Sequence, residues 1–127
     1  MTKVLVVDDD EDVRALLRTR LSAGNRFAVL EVESGEKAIT AAIEEKPDVI
    51  LCDIDMPKMD GLTVAERLSQ RETTKQIPLI FLSSLVTKEE AQRGVQAGKW
   101  PTLSKQSTFQ EIADAIERVV KLNSRRR

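Results

Sequence analysis

A chain of 127 residues with a hydrophobic content of 41% is long enough to form one domain around a substantial core. Its formal net charge of −1 argues against a nucleic-acid or membrane-surface binder, and no apolar run reaches membrane-spanning length. The single cysteine, Cys52, excludes an intrachain disulfide and suits a reducing cytoplasm. Because the chain has no histidine, it can have neither a catalytic histidine nor a metal site with histidine ligands.

Five strand-then-helix units follow one another along the chain. Strands are predicted at 3–8, 27–32, 49–53, 77–83 and 100–104. Helices are predicted at 10–23, between Ser34 and Pro47, at 62–69, at 87–97, and from Ser107 or Thr108 to Leu122. Continuously apolar strands at 4–7, 49–52 and 79–82 are typical of a parallel sheet that is covered on both faces. The pattern therefore predicts a doubly wound, three-layer α/β domain.

The buried faces of the helices can be predicted from apolar residues at helical spacing. In the first and third helices these residues are Val13, Leu16, Leu17 and Leu21, and then Leu62, Ala65 and Leu68. In the last helix they are Phe109, Ile112, Ala115, Ile116, Val119 and Val120.

Polar residues follow the predicted strands at the end where ligands bind in a doubly wound sheet. Asp8 and Asp9 follow the first strand, Asp53 ends the third, Ser83 ends the fourth, and Lys105 follows the fifth. Carboxylates this close repel one another, so a proton, a lysine or a metal ion must offset their charge. Hard oxygen ligands favour Mg²⁺ or a similar ion. A carboxylate beside such a cation can attack phosphorus and form an acyl phosphate.

These motifs resemble those of a known family over nearly the whole chain. The matching pieces are "VLVVDDD" (4–10), "PDVILCDIDMPKMDG" (47–61), "PLIFLSS" (78–84) and Lys105, in the order and at the separations of CheY-like receiver domains of two-component response regulators. The resemblance implies a flavodoxin-like (βα)5 fold with parallel strand order 2-1-3-4-5. It also implies a receiver domain at 1–122, with 123–127 as a basic tail or the start of a linker.

The resemblance assigns a metal site that holds Mg²⁺ or Mn²⁺. Asp53 and Asp9 would coordinate the ion directly, Asp55 through its backbone carbonyl, and Asp8 through water. Without the resemblance, Asp8 and Asp9 could simply cap the first helix, and Asp53 could be an ordinary turn residue.

The resemblance also assigns the phosphoryl chemistry. Asp53 would be the phosphoacceptor, Ser83 would bind a phosphoryl oxygen, and Lys105 would pair first with Asp53 and then with the phosphoryl group. The donor would be a phosphohistidine on a sensor histidine kinase or a histidine phosphotransfer protein. The domain would pass the signal to a downstream protein or effector domain. We expect no enzymatic turnover beyond its own phosphorylation and dephosphorylation, and no binding of nucleic acid or membrane.

Three departures from the family pattern concern the fifth strand and the loop after it. Gln106 follows Lys105 where the family has a proline in a cis bond; because a cis bond before a non-proline residue costs about 3 kcal/mol, we predict a trans bond. Thr102 replaces the family's switch aromatic. Trp100 shares a face with Thr102 and could supply the missing aromatic surface, or it could simply pack against a helix. Pro101 favours an edge or irregular strand.

Two functions remain in competition at this stage. The first is a phosphorylation-dependent signalling module, with a possible homodimer through the face formed by the fourth helix, fifth strand and fifth helix. The second is a pseudo-receiver that binds a protein partner regardless of phosphate. The unusual fifth strand favours the second, and the complete set of acidic, hydroxyl and lysine residues favours the first.

Overall fold

Strands and helices alternate along the chain. The computed structural model describes residues 1–97 and 99–125. The strands are β1 (Thr2–Val7), β2 (Phe27–Val32), β3 (Val49–Asp53), β4 (Leu79–Ser83), β5 (Gln96–Ala97) and β6 (Trp100–Ser104). The helices are α1 (Glu11–Ser22), α2 (Gly35–Glu45), α3 (Gly61–Ser69), α4 (Lys88–Gln92) and α5 (Phe109–Arg125), with one 3₁₀ turn at Ala23–Asn25.

One sheet runs through the molecule in the order β2-β1-β3-β4-β6-β5. Its five longer strands are parallel, which confirms the predicted order 2-1-3-4-5, while the two-residue β5 adds an antiparallel pair at the edge. Leu17 and Leu21 of α1 pack with Ile112 and Ile116 of α5 on one face of the sheet. Residues of α2 and α3 form the core on the other face. The three-layer doubly wound fold is therefore confirmed.

Side chains just before each helix cap its N-terminus. Asp10, Ser34, Asp60 and Thr87 each accept a hydrogen bond from the first turn of α1, α2, α3 and α4. At α5 the cap is Thr108, whose hydroxyl accepts from Glu111 N while the Glu111 carboxylate accepts from Thr108 N. Such caps satisfy backbone N–H groups that have no partner within the helix.

Two leucines expected in the core lie on the surface instead. Leu16 is 51% exposed and Leu62 is 46% exposed, while Leu17, Val64 and Leu68 are buried. The predicted stripes on α1 and α3 were therefore wrong at one position each. The strip of a helix that is buried against a sheet is narrow, and residues at helical spacing can fall just outside it.

The fourth helix is shorter than the predicted 87–97, because α4 ends at Gln92. Gly94 follows with a φ of 89°, in the left-handed region that favours glycine. The carbonyl of Val95 then accepts a hydrogen bond of 2.9 Å from Thr102 N. Residues 93–97 therefore leave the helix and supply a partner for the open edge of β6, which the helical pattern alone does not reveal.

The last helix extends beyond the predicted boundary at Leu122 and reaches Arg125. Of the basic tail predicted at 123–127, residues 123–125 are thus helical, and residues 126–127 lie outside the described part of the chain. Among residues 1–97 and 99–125, no helix combines the length and the apolar composition needed to cross a bilayer.

Candidate functional site

Three carboxylates meet at the carboxyl edge of the sheet. Asp8 and Asp9 follow β1, and Asp53 is the last residue of β3; each offers an oxygen within 4.8 Å of the other two. Asp8 is 1% exposed and Asp53 is 2% exposed, whereas Asp9 faces solvent. Two buried acids side by side are costly unless a cation or proton offsets them, so this arrangement is more than a surface cluster of charges.

Backbone hydrogen bonds hold the loop after β1, in which Asp8 is buried and Asp9 is exposed. Asp8 Oδ1 accepts a hydrogen bond of 2.9 Å from Asp10 N, and Asp8 N donates to Val32 O at 3.3 Å. Asp10, not Asp8 or Asp9, caps α1. The alternative that Asp8 and Asp9 merely cap the helix is therefore wrong, and both carboxylates face the third acid.

Lys105 supplies a positive charge to the two buried acids. Its Nζ lies 3.1 Å from Asp8 Oδ2 and 3.2 Å from Asp53 Oδ2. The backbone brings it there, because Lys105 N donates to Ser83 O at 3.0 Å, just after β6 ends beside β4. This contact places Lys105 between the ends of three neighbouring strands.

Burial and neighbouring charges shift the pKa values of Asp53 and Lys105. Burial raises the pKa of Asp53 above its usual value, and the charge of Asp8 raises it further, while Lys105 partly offsets both effects. Burial by itself lowers the pKa of Lys105, but its close contacts and charge interactions with Asp8 and Asp53 bring the net pKa above the usual value. The lysine therefore stays protonated next to Asp53, whose carboxyl group resists ionisation.

The loop after β3 holds the Asp53 carboxylate from its other side. Asp55 N donates to Asp53 Oδ1 at 3.1 Å, and Gly61 N donates to Ile54 O at 3.0 Å. A Cβ atom on Gly61 would lie 2.5 Å from Asp53 O, so the loop closes tightly onto the strand end. Asp55 itself is exposed beside the cluster, and ligation by its carbonyl stays a prediction.

Ser83 lies at the end of β4, at the same register as Ser104 of β6. It is 3% exposed, and its Oγ accepts a hydrogen bond of 3.1 Å from Leu85 N. Because the hydroxyl is the acceptor in this bond, its proton can be donated to another oxygen. This geometry is compatible with the contact between Ser83 and a phosphoryl oxygen, which stays a prediction.

The bond between Lys105 and Gln106 is trans, which confirms the prediction. Gln106 N donates to Ser104 Oγ at 3.0 Å. A proline at this position has no N–H and could not make that bond. Gln106 N–H therefore helps to hold the turn between β6 and α5.

Thr102 and Trp100 occupy the same face of β6, as the strand period predicts. Trp100 packs against the core that contains α2 and α3, and it lines a small cavity with Ala65 and Leu68 of α3. Its ring thus lies against a helix. Thr102 is 2% exposed, and its Oγ1 has no hydrogen-bond partner among the described residues.

Replacing Thr102 with valine is expected to stabilise the protein by about 1 kcal/mol, because the change keeps the side-chain shape and removes a buried hydroxyl without a partner. Urea unfolding monitored by circular dichroism would measure the difference. Thr74→Val is a suitable control, since the buried Thr74 hydroxyl donates to Leu68 O at 2.7 Å and its loss should destabilise the protein. Equal destabilisation by both changes would show that Thr102 Oγ1 has a partner in solution.

Sequence reasoning missed two residues beside the site. Arg14 of α1 donates from Nη1 to Asp8 O at 2.8 Å and from Nε to Glu31 Oε1 of β2 at 3.2 Å. In the sequence Arg14 reads as one of several surface arginines of an amphipathic helix. No sequence signal pairs it with Glu31, because the contact depends on how α1 lies across the sheet.

An α/β domain with an acidic site at the carboxyl edge of its sheet is thus defined, and comparison with known proteins gives its family. Residues 4–117 match the response regulator receiver domain. The chain belongs to this family, the CheY-like receiver domains of two-component systems.

Curated relatives contain the domain as one part of longer proteins. The chain is 35% identical to the sensor histidine kinase CheAY of Helicobacter pylori, over 94% of this chain and 15% of that protein. It is 37% identical to a gliding motility regulatory protein of Myxococcus xanthus, over 92% of this chain and 15% of that protein. The chain therefore spans a small part of these relatives' length.

Solved structures share the fold at full domain length. The chemotaxis protein CheY4 of Vibrio cholerae superposes with a TM-score of 0.80 at 27% identity, covering 94% of this chain and 98% of that one. The Francisella response regulator 1452 receiver domain gives a TM-score of 0.80 at 26% identity, with coverage of 95% and 98%.

The donor set fits the divalent metal that the family implies. Asp8 Oδ2 is buried and, although Lys105 Nζ is near, accepts no well-aligned hydrogen bond within the described residues. Asp8, Asp9 and Asp53 offer only oxygen, and they converge from two strand ends. Oxygen-only sites with a few carboxylates and room for water are the kind that Mg²⁺ and Mn²⁺ occupy.

Proposed function

We propose that Asp53 accepts a phosphoryl group from a phosphohistidine on a partner protein, and that this modification changes the protein-binding surface of the domain. The observation that carries the proposal is the position of Asp53: a buried carboxylate, 3.2 Å from Lys105 Nζ, with Asp8 and Asp9 beside it. Membership of the receiver family supports the same role.

The chemistry requires Asp53 to act as a nucleophile. One carboxylate oxygen attacks phosphorus, an O–P bond forms, and the P–N bond to the partner's imidazole breaks with its electron pair moving to nitrogen. Asp55 N holds Oδ1 at 3.1 Å and so keeps the carboxylate oriented. Lys105 then transfers its contact from the carboxylate to the phosphoryl oxygens, and Ser83 donates its hydroxyl proton to one of them.

A bound Mg²⁺ or Mn²⁺ would supply positive charge that offsets the acids and the incoming phosphoryl oxygens. In the proposed site Asp9 and Asp53 would hold the ion directly, Asp55 through its carbonyl, and Asp8 through water. Support comes from the close approach of Asp8, Asp9 and Asp53.

The proposed partners follow from this chemistry. A sensor histidine kinase or a histidine phosphotransfer protein would supply the phosphoryl group, and a downstream protein or effector domain would read the modified state. A homodimer through the face of α4, β6 and α5 is part of the proposal, as are a cytoplasmic location and a lack of turnover of outside substrates.

A pseudo-receiver that binds its partner regardless of phosphate is the second candidate. The observation that favours it is the altered output face, where α4 has five residues and Thr102 replaces the expected aromatic. Threonine cannot fill the space of an aromatic ring when Ser83 moves. This face could therefore respond weakly to events at Asp53.

Intact mass measurement tests the choice between these functions. The protein is incubated with Mg²⁺ and acetyl phosphate, beside an Asp53→Asn variant and an EDTA-treated sample. We expect one phosphoryl adduct on the wild-type protein and none in either control, because the reaction needs both the carboxylate and the cation. Trp100 fluorescence, followed in parallel, reports whether β6 responds.

Each result assigns a function. An adduct that depends on Asp53 and Mg²⁺ supports the phosphoacceptor. Absence of the adduct, under conditions that modify an ordinary receiver, supports the pseudo-receiver. An adduct without any change at Trp100 supports a phosphoacceptor whose output face does not involve that residue.

A further inference from the structure

A half-buried ion-pair cluster lies directly behind the acidic loop. Arg14 of α1 bonds through Nη1 to the backbone carbonyl of Asp8 and through Nε to the carboxylate of Glu31. Only 14% of the Arg14 side chain and 24% of the Glu31 side chain are exposed. Arg18, one turn further along α1, contacts the other oxygen of Glu31 and is 53% exposed. These ion pairs therefore connect α1 to β2 next to the acidic loop.

We infer that Arg14 is a positioning residue for the metal ligands, acting through the peptide group between Asp8 and Asp9. The carbonyl that accepts the Arg14 bond belongs to that peptide group. Fixing this oxygen at 2.8 Å fixes the plane of the peptide group before Asp9, and the bond from Asp10 N to Asp8 Oδ1 at 2.9 Å holds the peptide group after it. Together the two bonds restrict φ and ψ of Asp9 and hence the direction of its Cα–Cβ bond. The inference rests on the proposed function, since it deepens the role of the same site.

Asp9 needs such external support more than its neighbours do. The Asp8 carboxylate is held by Asp10 N and lies near Lys105, and the Asp53 carboxylate is held by Asp55 N and Lys105. Asp9 is exposed. Its side-chain direction therefore depends on the backbone, and Arg14 contacts the backbone at the peptide group that precedes it.

Glu31 allows Arg14 to do this without competing for the acids. A free guanidinium near three carboxylates would attract them and oppose a cation. Bonded to Glu31, the Arg14 charge is largely compensated, and one N–H remains directed at the Asp8 carbonyl. Arg18 also contacts Glu31 but forms no hydrogen bond or ion pair with the acidic loop within the described residues, which makes it a matched control.

The test compares Arg14→Met, Arg14→Lys and Arg18→Met for Mg²⁺ binding by isothermal titration calorimetry. The rate of adduct formation from acetyl phosphate is measured in parallel as a function of Mg²⁺ concentration. We expect Arg14→Met to weaken Mg²⁺ binding about tenfold, the effect usual for residues that orient metal ligands. At saturating Mg²⁺ its rate should approach that of the wild type, because no reacting group is lost.

The other two variants separate positioning from simple stability. Arg14→Lys keeps one donor for the Asp8 carbonyl and should recover part of the affinity, and it also serves if Arg14→Met does not fold. Arg18→Met should stay within about twofold of the wild type, although it also removes a cation from Glu31. Unfolding in urea shows whether both methionine variants lose similar stability.

Two results with the variants would overturn the inference: wild-type Mg²⁺ affinity in Arg14→Met, or an equal loss of affinity in Arg18→Met. Failure of wild-type protein to bind Mg²⁺ would also overturn it. If instead the wild type binds Mg²⁺ but forms no adduct, the phosphoacceptor function fails, while the affinities of the variants still decide the role of Arg14.

Discussion

Replacement of Gly61 by alanine is expected to lower the free energy of unfolding by about 3 kcal/mol. The new Cβ would lie 2.5 Å from Asp53 O and 3.0 Å from Ile54 Cα, and both atoms belong to the backbone. Neither can move by side-chain rotation, so the end of β3 or the start of α3 must shift. Urea unfolding with circular dichroism would measure the loss.

Two other glycines provide controls for this change. Gly24 has a φ of 77° and no atom within 4 Å of a built Cβ, so Gly24→Ala introduces backbone strain alone and should cost about 1 kcal/mol. At Gly35 the nearest atoms, at 2.9 Å, belong to the side chains of Met59 and Val64. Met59 can rotate, and Gly35→Ala should therefore be tolerated better than Gly61→Ala.

The Gly61→Ala change should also slow the phosphorylation reaction. A shift at Asp53 O displaces the proposed phosphoacceptor, so adduct formation by the folded fraction should slow in Gly61→Ala and not in Gly24→Ala. Unchanged stability in Gly61→Ala would mean that the loop after β3 is looser than the structure shows.

Replacement of Lys105 by methionine is expected to destabilise the metal-free protein by about 2 kcal/mol at pH 7. Asp8 and Asp53 are nearly fully buried, and Lys105 Nζ lies within 3.2 Å of both. We place the loss below the range for a fully buried pair because the lysine side chain is 26% exposed. Unfolding in urea with EDTA would measure it.

The loss should depend on pH with a definite sign. The pKa of Asp53 is already raised by burial and by Asp8, and removal of Lys105 raises it further. A raised carboxyl pKa lowers stability above the unfolded-state pKa of about 4, so the variant should approach the wild type in acid and diverge toward neutral pH. The pKa of Lys105 is raised too, so its contribution persists through neutral pH and disappears only above that raised value.

Mg²⁺ should restore much of the stability lost in Lys105→Met, since a divalent cation replaces the missing charge and no longer competes with the lysine. Asp53→Asn provides the matched control, because it removes one of the two buried charges. In the Lys105→Met background it should be stabilising. Equal unfolding free energies for wild type and Lys105→Met in EDTA at neutral pH would contradict the ion-pair role.

Most of the fold and the main acids of the site could be predicted from local patterns. Continuous apolar strands that end in Asp8 and Asp53 indicate buried parallel strands, and such strands bring their carboxyl ends to one edge. The separations to Ser83 and Lys105 completed the resemblance to receiver domains. The trans bond before Gln106 followed from the chemistry of a single peptide bond.

The wrong predictions fall where contacts with other segments of the chain decide the structure. Residues 93–97 read as helix, yet Val95 O accepts a hydrogen bond from Thr102 N at the open edge of β6. Leu16 and Leu62 read as core, yet the sheet does not reach them. In each place the structure depends on contacts with another segment, and the local spacing of apolar residues carries no information about those contacts.

The sequence by itself determined the order of strands and helices and the identity of the acidic residues, because these depend on the local pattern of apolar and polar residues. Only the tertiary structure decided that Lys105 bridges Asp8 and Asp53, that Gly61 closes against Asp53, and that Arg14 and Glu31 support the loop of Asp8 and Asp9. Lys105 is distant in the chain from both acids, and the contacts between closer residues depend on how α1 and α3 pack against the strand ends.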